Sequence, residues 1–152
     1  MQIYQDYYLS PLGIIEVKNT ANVLKTLTFV DKIGVKNHAP LTLEIIDSLK
    51  KYFNNKQPLK NFNIDSSAFS NFQKRVYELL LKQITLGTTI SYKELALKLK
   101  TSPRAIGRTM ASNPVCLFIP CHRVIKSNGN LGGYSCGIHI KEALLKHEGF
   151  FI

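Results

Sequence analysis

Apolar and polar positions alternate through the first thirty residues, and beyond residue 40 the period changes. Ile3 to Leu9, Gly13 to Lys18 and Val23 to Val30 read as strands, with Ser10-Pro11-Leu12-Gly13 as a turn between the first two. This pattern predicts a small antiparallel sheet. After Pro40, residues Leu41, Ile45, Leu49 and Phe53 recur at four-residue intervals, the stripe of a helix packed on one face of such a sheet. Residues 54–67 are polar and break the period, which predicts a boundary between a domain over 1–65 and a second over 66–152.

The second half reads as helices with recognisable starts. Ser70 followed by Gln73 is a capping box opening a helix that carries Phe72, Val76, Leu79 and Leu80 on its buried side. Ser91 with Glu94 is a second box, opening a helix over Tyr92 to Lys100. Ser102-Pro103 starts a third, since proline suits a first helical turn, and Pro114 ends it at Ser112 by excluding Asn113 from the helical region. Two short helices joined at Thr101-Ser102 have the outline of a helix-turn-helix. A last helix, from about Ile140 to His147, closes at Gly149. The fold class predicted is α+β: an N-terminal antiparallel sheet with a helix, then a helical domain containing a winged helix-turn-helix.

Length and composition narrow the field. At 152 residues, 45% hydrophobic and 20% charged, the chain has ordinary globular values, which argues against disorder. Its longest apolar run, Val115 to Ile119, is far short of a membrane span, and Met1-Gln2-Ile3-Tyr4-Gln5-Asp6 has no secretory character. An intracellular, cytoplasmic protein without a membrane partner is expected. Charge divides unevenly. Residues 1–65 carry 8 Lys against 6 acidic residues, whereas residues 66–152 carry 12 Lys and Arg against 4 Glu. Between Glu94 and Glu142 stand 7 basic residues, Arg104 and Arg108 among them, and no acidic one. Such a stretch attracts a polyanion, although a solvated basic surface would look the same. Within the third helix, Ala105 and Gly107 are small enough for close approach to a partner or for packing on another helix.

The candidate chemistry centres on cysteine. Three cysteines, at 116, 121 and 136, are an odd number and argue against a disulfide framework. Cys116 and Cys136 read by default as inert small hydrophobes. Cys121 differs because His122 and Arg123 follow it, and nearby positive charge or an imidazole favours a thiolate. A zinc site built from Cys116, Cys121, His122, Cys136 and His139 competes with this reading, but no second matching ligand pair follows the first. The glycine-rich Asn128-Gly129-Asn130-Leu131-Gly132-Gly133-Tyr134 lacks a phosphate-loop ending or a dinucleotide spacing, so it reads as a turn and mobile loop.

Taken together, Asn113-Pro114, Ile119-Pro120-Cys121-His122-Arg123-Val124, Gly132-Gly133-Tyr134-Ser135 and the Lys141-Glu142-x-Leu144-Leu145-x-His147-Glu148-Gly149 run closely resemble the methylated-DNA-protein-cysteine methyltransferases, the O6-alkylguanine-DNA alkyltransferases. The resemblance runs from about Phe69 to Phe150; the N-terminal part agrees in size and element order, and by resemblance is ribonuclease H-like. It implies single-use repair of double-stranded DNA in which an alkyl group passes from O6 of guanine to Cys121. His122 would act through a water as general base, with Glu148 orienting it. Arg104 matches the finger that replaces an extruded nucleotide, Ala105 and Gly107 the small face set in the minor groove, and Arg108 lies on the same DNA-binding helix. Tyr92 matches the tyrosine at the target phosphate and flipped base, and Asn113 a hinge asparagine. Met110, Tyr134 and Ser135 match the pocket wall and loop, while the carbonyls of Cys121 and Val124 would accept from the guanine amino group. The resemblance implies no cofactor, no metal and a monomer in free form.

Three departures stand out. The turn before Arg104 is shorter than in several relatives, Cys136 replaces a frequent glycine, and no cysteine precedes residue 116. Two other readings remain: a non-enzymatic alkyltransferase-like DNA-binding protein, against which Cys121 argues, and a dimeric helix-turn-helix regulator with Cys121 as redox sensor.

Overall fold

A computed structural model describes residues 1–150. The chain divides into two compact units, Met1–Ser67 and Ala68–Ile152. In the first, strands β1 (Tyr4–Ser10), β2 (Gly13–Asn19) and β3 (Leu24–Val30) form an antiparallel meander in that order. Tyr4 pairs with Asn19 and Ser10 with Gly13 across β1 and β2, and a bulge at Lys18/Asn19 shifts the register against β3. Alternation sends Ile15 and Val17 into the core, where helix α1 (Pro40–Asn55) lays Ile45, Leu49, Tyr52 and Phe53 over the sheet.

Two sequence expectations shift here. Leu41 is only half-buried, and the neighbouring Thr42 takes the inward position, its hydroxyl donating to Asn19 Oδ1 at 2.8 Å. The polar stretch after α1 is also no simple linker. Leu24 donates to the Asn63 carbonyl and accepts from the Asp65 N–H, while Lys25 pairs with the Asp65 carboxylate at 2.9 Å. Residues 63–65 thus belong to the sheet edge, and the division falls after Ser67.

In the second unit, helix α2 (Asn71–Gln83) is capped reciprocally by Ser70 and Gln73. A short strand β4 (Ile90–Ser91) leads directly into α3 (Tyr92–Lys98), whose first turn is capped by Ser91 Oγ accepting from the Glu94 N–H at 2.9 Å. The helix stops two residues before the expected end because Lys100 turns left-handed, at φ 55°. Ser102 then caps α4 (Pro103–Ala111), with Pro103 in its first turn. Leu95, Ala96, Ile106 and Met110 are buried where the pair packs. The run from Val115 to Pro120 is buried throughout yet is not a strand: Leu117 takes φ 73°, and Ile119 N–H turns back to the Val115 carbonyl. A single 3-10 turn, Cys121–Arg123, follows and runs into strand β5 (Val124–Ile125), parallel to β4. Helix α5 (Ile138–His147) begins two residues earlier than expected, with Gly137 at φ 105° before it. No helix among the described residues is long and apolar enough to cross a membrane.

Candidate active site

One pocket of about 530 Å³ in the second unit gathers residues from five segments, Lys126 supplying one of them. Helix α4 forms one wall with Arg104, Gly107 and Met110; Tyr92 enters from the start of α3, and Gly132 to Ser135 add a further wall. Cys121 lines it from the 3-10 turn. The helix-turn-helix and the Cys121 thiol therefore share one cavity.

The thiol is set by its neighbours. Asn113 donates from Nδ2 to Cys121 Sγ and to the Ile119 carbonyl, both at 3.0 Å, while its Oδ1 accepts from the Val115 N–H at 2.9 Å. One amide side chain thus fixes both ends of the turn that presents Cys121. The neighbouring Cys116 thiol is the largest influence lowering the Cys121 pKa; burial opposes it, and the Asn113 hydrogen bond and the Lys141 charge assist. The Cys116 thiol is in turn raised to about 11, chiefly by Cys121.

His122 is fully buried within the same turn. Its Nε2 lies 2.7 Å from Glu148 Oε2, and Nδ1 has no hydrogen-bond partner among the described residues. Burial lowers its pKa against the pull of Glu148, which favours the neutral ring. Nε2–H then donates to the carboxylate, leaving Nδ1 with a free lone pair. Burial acts against the Glu148 charge, but hydrogen bonds from His122 and Arg123 hold its pKa at about 2. Arg123 grips the same carboxylate through Nε at 2.7 Å and Nη2 at 3.1 Å, and its Nη1 donates to the Ile84 carbonyl.

Lys141, buried in α5, points its ammonium at the pocket wall. Nζ donates to the Val124 carbonyl at 2.6 Å, the Gly133 carbonyl at 3.0 Å and the Tyr92 hydroxyl at 3.4 Å. Val124 itself is absent from the pocket lining, and its carbonyl is already engaged by this ammonium. Burial brings the Lys141 pKa down to about 8, against the attraction of Cys121. The glycine-rich loop is packed rather than loose at one point: Gly132 has φ 75°, and a Cβ there would stand 2.8 Å from the Tyr92 ring.

Along α4 the geometry separates the two explanations for its small residues. A Cβ on Gly107 would meet nothing within 4 Å, so no helix of this unit packs there. Arg104 and Arg108 are exposed, Ala105 is half-buried, and of these three only Arg104 reaches the pocket lining. Among the described residues no group of three or more His, Cys, Asp or Glu side chains is arranged to hold a metal. His139 lies instead against Gly137.

Comparison with known proteins places this arrangement. The family model for the DNA-binding domain of 6-O-methylguanine DNA methyltransferase matches residues 71–150. A methylated-DNA–protein-cysteine methyltransferase of Sulfolobus acidocaldarius is 39% identical over 144 residues, 93% of this chain and 90% of that protein. The chain belongs to the 6-O-methylguanine DNA methyltransferase family. Among solved structures, Mycobacterium tuberculosis OGT in complex with DNA superposes with a TM-score of 0.82 at 31% identity, covering 95% of this chain and 92% of that one. The O6-methylguanine-DNA methyltransferase of Pyrococcus kodakaraensis shares the fold, with a TM-score of 0.73 at 23% identity over 98% of this chain and all of that one. Membership makes the chain a DNA-repair methyltransferase of α+β architecture.

Sequence reasoning takes Arg123 as a charge acting on Cys121, whereas it binds Glu148, and it gives Lys141 and Cys116 no part beside the pocket. Arg123 and Lys141 lie inside motifs quoted for the family, but their contacts to Glu148 and to the Val124 carbonyl come from distant segments. Cys116, read by default as an inert hydrophobe, stands 2.8 Å from the Cys136 sulfur and favours the Cys121 thiolate. No local pattern marks any of these contacts.

Proposed function

We propose that the chain repairs O6-alkylguanine in double-stranded DNA by moving the alkyl group irreversibly onto Cys121 Sγ. The observation that carries this reading is the single pocket shared by the Cys121 thiol and the exposed helix α4. A duplex seated on α4 through its minor groove, only about 6 Å wide, meets the bare face at Gly107, while Arg104 stands at the pocket mouth where an extruded nucleotide leaves a gap in the stack. Flipping is required because a buried thiolate does not reach O6 inside a stacked base pair.

Within the pocket the Cys121 thiolate attacks the alkyl carbon, forming a C–S bond as the C–O bond breaks and the electron pair passes to O6 of guanine. The thiol proton leaves through a water to His122 Nδ1, the ring atom that lacks a protein partner. Glu148 and Arg123 hold the ring in that tautomer. Tyr92 hydrogen-bonds the flipped base, which Met110, Tyr134 and Ser135 enclose, and the Cys121 and Val124 carbonyls receive its amino group. Val124 does so on the lone pair that Lys141 leaves open. Asn113 acts as the hinge between α4 and the acceptor turn. The thioether product offers water no leaving group, so each molecule reacts once, as a monomer and without a cofactor.

The test is intact-protein mass after incubation with a duplex bearing one O6-methylguanine, followed by peptide mapping. The expected result is one methylene's mass gained at Cys121, stoichiometric with protein. Lesion-selective binding without mass gain would instead indicate a non-enzymatic recogniser, and binding without lesion preference would indicate a sequence-specific regulator.

A further inference from the structure

Two thiols outside the proposed chemistry meet beside the pocket. Cys116 Sγ lies 2.8 Å from Cys136 Sγ and 3.7 Å from Ser135 Oγ. Neither cysteine is in a disulfide. They come from different segments, Cys116 from the buried run before the acceptor turn and Cys136 from the loop that adds a wall to the pocket. Cys116 is almost wholly buried, whereas Cys136 is partly exposed. Gly137, immediately after Cys136, takes φ 105°, a backbone conformation that glycine adopts without strain. A small side-chain rotation brings the two sulfurs to bonding distance.

We propose that Cys116 and Cys136 form a redox-modification site, which a low-molecular-weight disulfide converts into an intramolecular disulfide that clamps the pocket loop to the acceptor segment. The accessible Cys136 thiolate attacks one sulfur of the small disulfide and expels the other as a thiolate. Cys116 then attacks the Cys136 sulfur of the mixed disulfide and expels the second small thiolate. The protons of the two cysteines pass to the departing thiolates, so two cysteine thiols are oxidised by two electrons and one small disulfide is reduced to two thiols.

The bond has a functional consequence, which rests on the reading of Cys121 as acceptor. Once in a disulfide, Cys116 no longer has the thiol proton that favours the Cys121 thiolate, and the Ser135–Cys136 segment is tied covalently to the acceptor segment. Transfer slows while α4 and its exposed face are untouched.

Wild-type protein incubated with glutathione disulfide tests both parts by intact mass and non-reducing peptide mapping. The expected result is loss of two hydrogen masses, with the peptide containing Cys116 linked to that containing Cys136. The change reverses with dithiothreitol, and Cys136→Ser forms no link. A link through Cys121, glutathione retained on Cys136, or no change overturns the site. Linked protein should transfer methyl roughly 10-fold more slowly, the scale of one lost polar interaction with an ionised group, with unchanged affinity for duplex DNA. Full-speed transfer by linked protein overturns the switch. If the reduced protein transfers nothing, the acceptor reading fails, while the mass result still decides the dithiol.

Discussion

The Glu148 carboxylate reaches His122 Nε2 at 2.7 Å while the Arg123 guanidinium also grips it, so the imidazole in the Cys121–Arg123 turn is held by an ion pair with no exposed carboxylate. Removing one partner of such a buried pair strands the other. Glu148→Gln should therefore destabilise the protein by about 3 kcal/mol or more at neutral pH. The pH dependence follows from the lowered carboxyl pKa. Its contribution is complete above the ordinary value of 4.5 and is lost as pH falls towards about 2. Denaturant midpoints for wild type and Glu148→Gln should converge over that window; a constant gap would contradict the assignment.

Lys141 is bound from the opposite direction. With its pKa near 8 in the fold and 10.5 as its ordinary value, the folded protein binds this proton less tightly, so stability should rise as pH climbs through that interval. Lys141→Met should abolish the rise. It should also slow methyl transfer at pH 7 by about 10-fold, because the Val124 and Gly133 carbonyls lose their donor and Cys121 loses a nearby charge. Single-turnover rates against pH, with urea denaturation in parallel, separate the two effects.

Gly107 offers a test in which stability and binding move in opposite directions. Gly107→Ala adds a methyl group into open space and should stabilise α4 by about 0.5–1 kcal/mol. Gly107→Leu should leave the fold intact and weaken duplex binding by about 10-fold or more, since a groove about 6 Å wide has no room for the branch. Unchanged affinity in Gly107→Leu would place the DNA on another face.

Arg104→Ala should reduce transfer from an O6-methylguanine duplex far more than reaction with the free O6-alkylguanine base. The side chain is exposed at the pocket mouth and has no part in holding Cys121. Comparing the two second-order rates decides it, and equal losses would rule out a role in extrusion.

What a sequence reveals here depends on how far apart the cooperating residues lie. The Ser70–Gln73 box and the Ser102-Pro103 start are complete within four residues, so they can be read directly from the chain. Helix α3 ends early because Lys100 adopts a left-handed conformation, and nothing in its residue type requires that. Leu41 fits a four-residue stripe, yet the buried hydrogen bond of Thr42 to Asn19 turns the helix start instead. In the site, Cys121 and His122 announce themselves by adjacency. Cys116, Arg123 and Lys141 gain their meaning from partners on other elements, and only packing brings those together.

The return of residues 63–65 to β3 has a counterpart at the other side of the sheet, where Gln5 exchanges backbone hydrogen bonds with Asn37. Each outer strand of the meander thus has part of its unpaired backbone occupied by the protein's own chain. A three-stranded sheet left bare on both sides is a template for strands from other molecules. In this protein the two short returns work against edge-to-edge aggregation, a protection that the helix on the sheet's face does not provide.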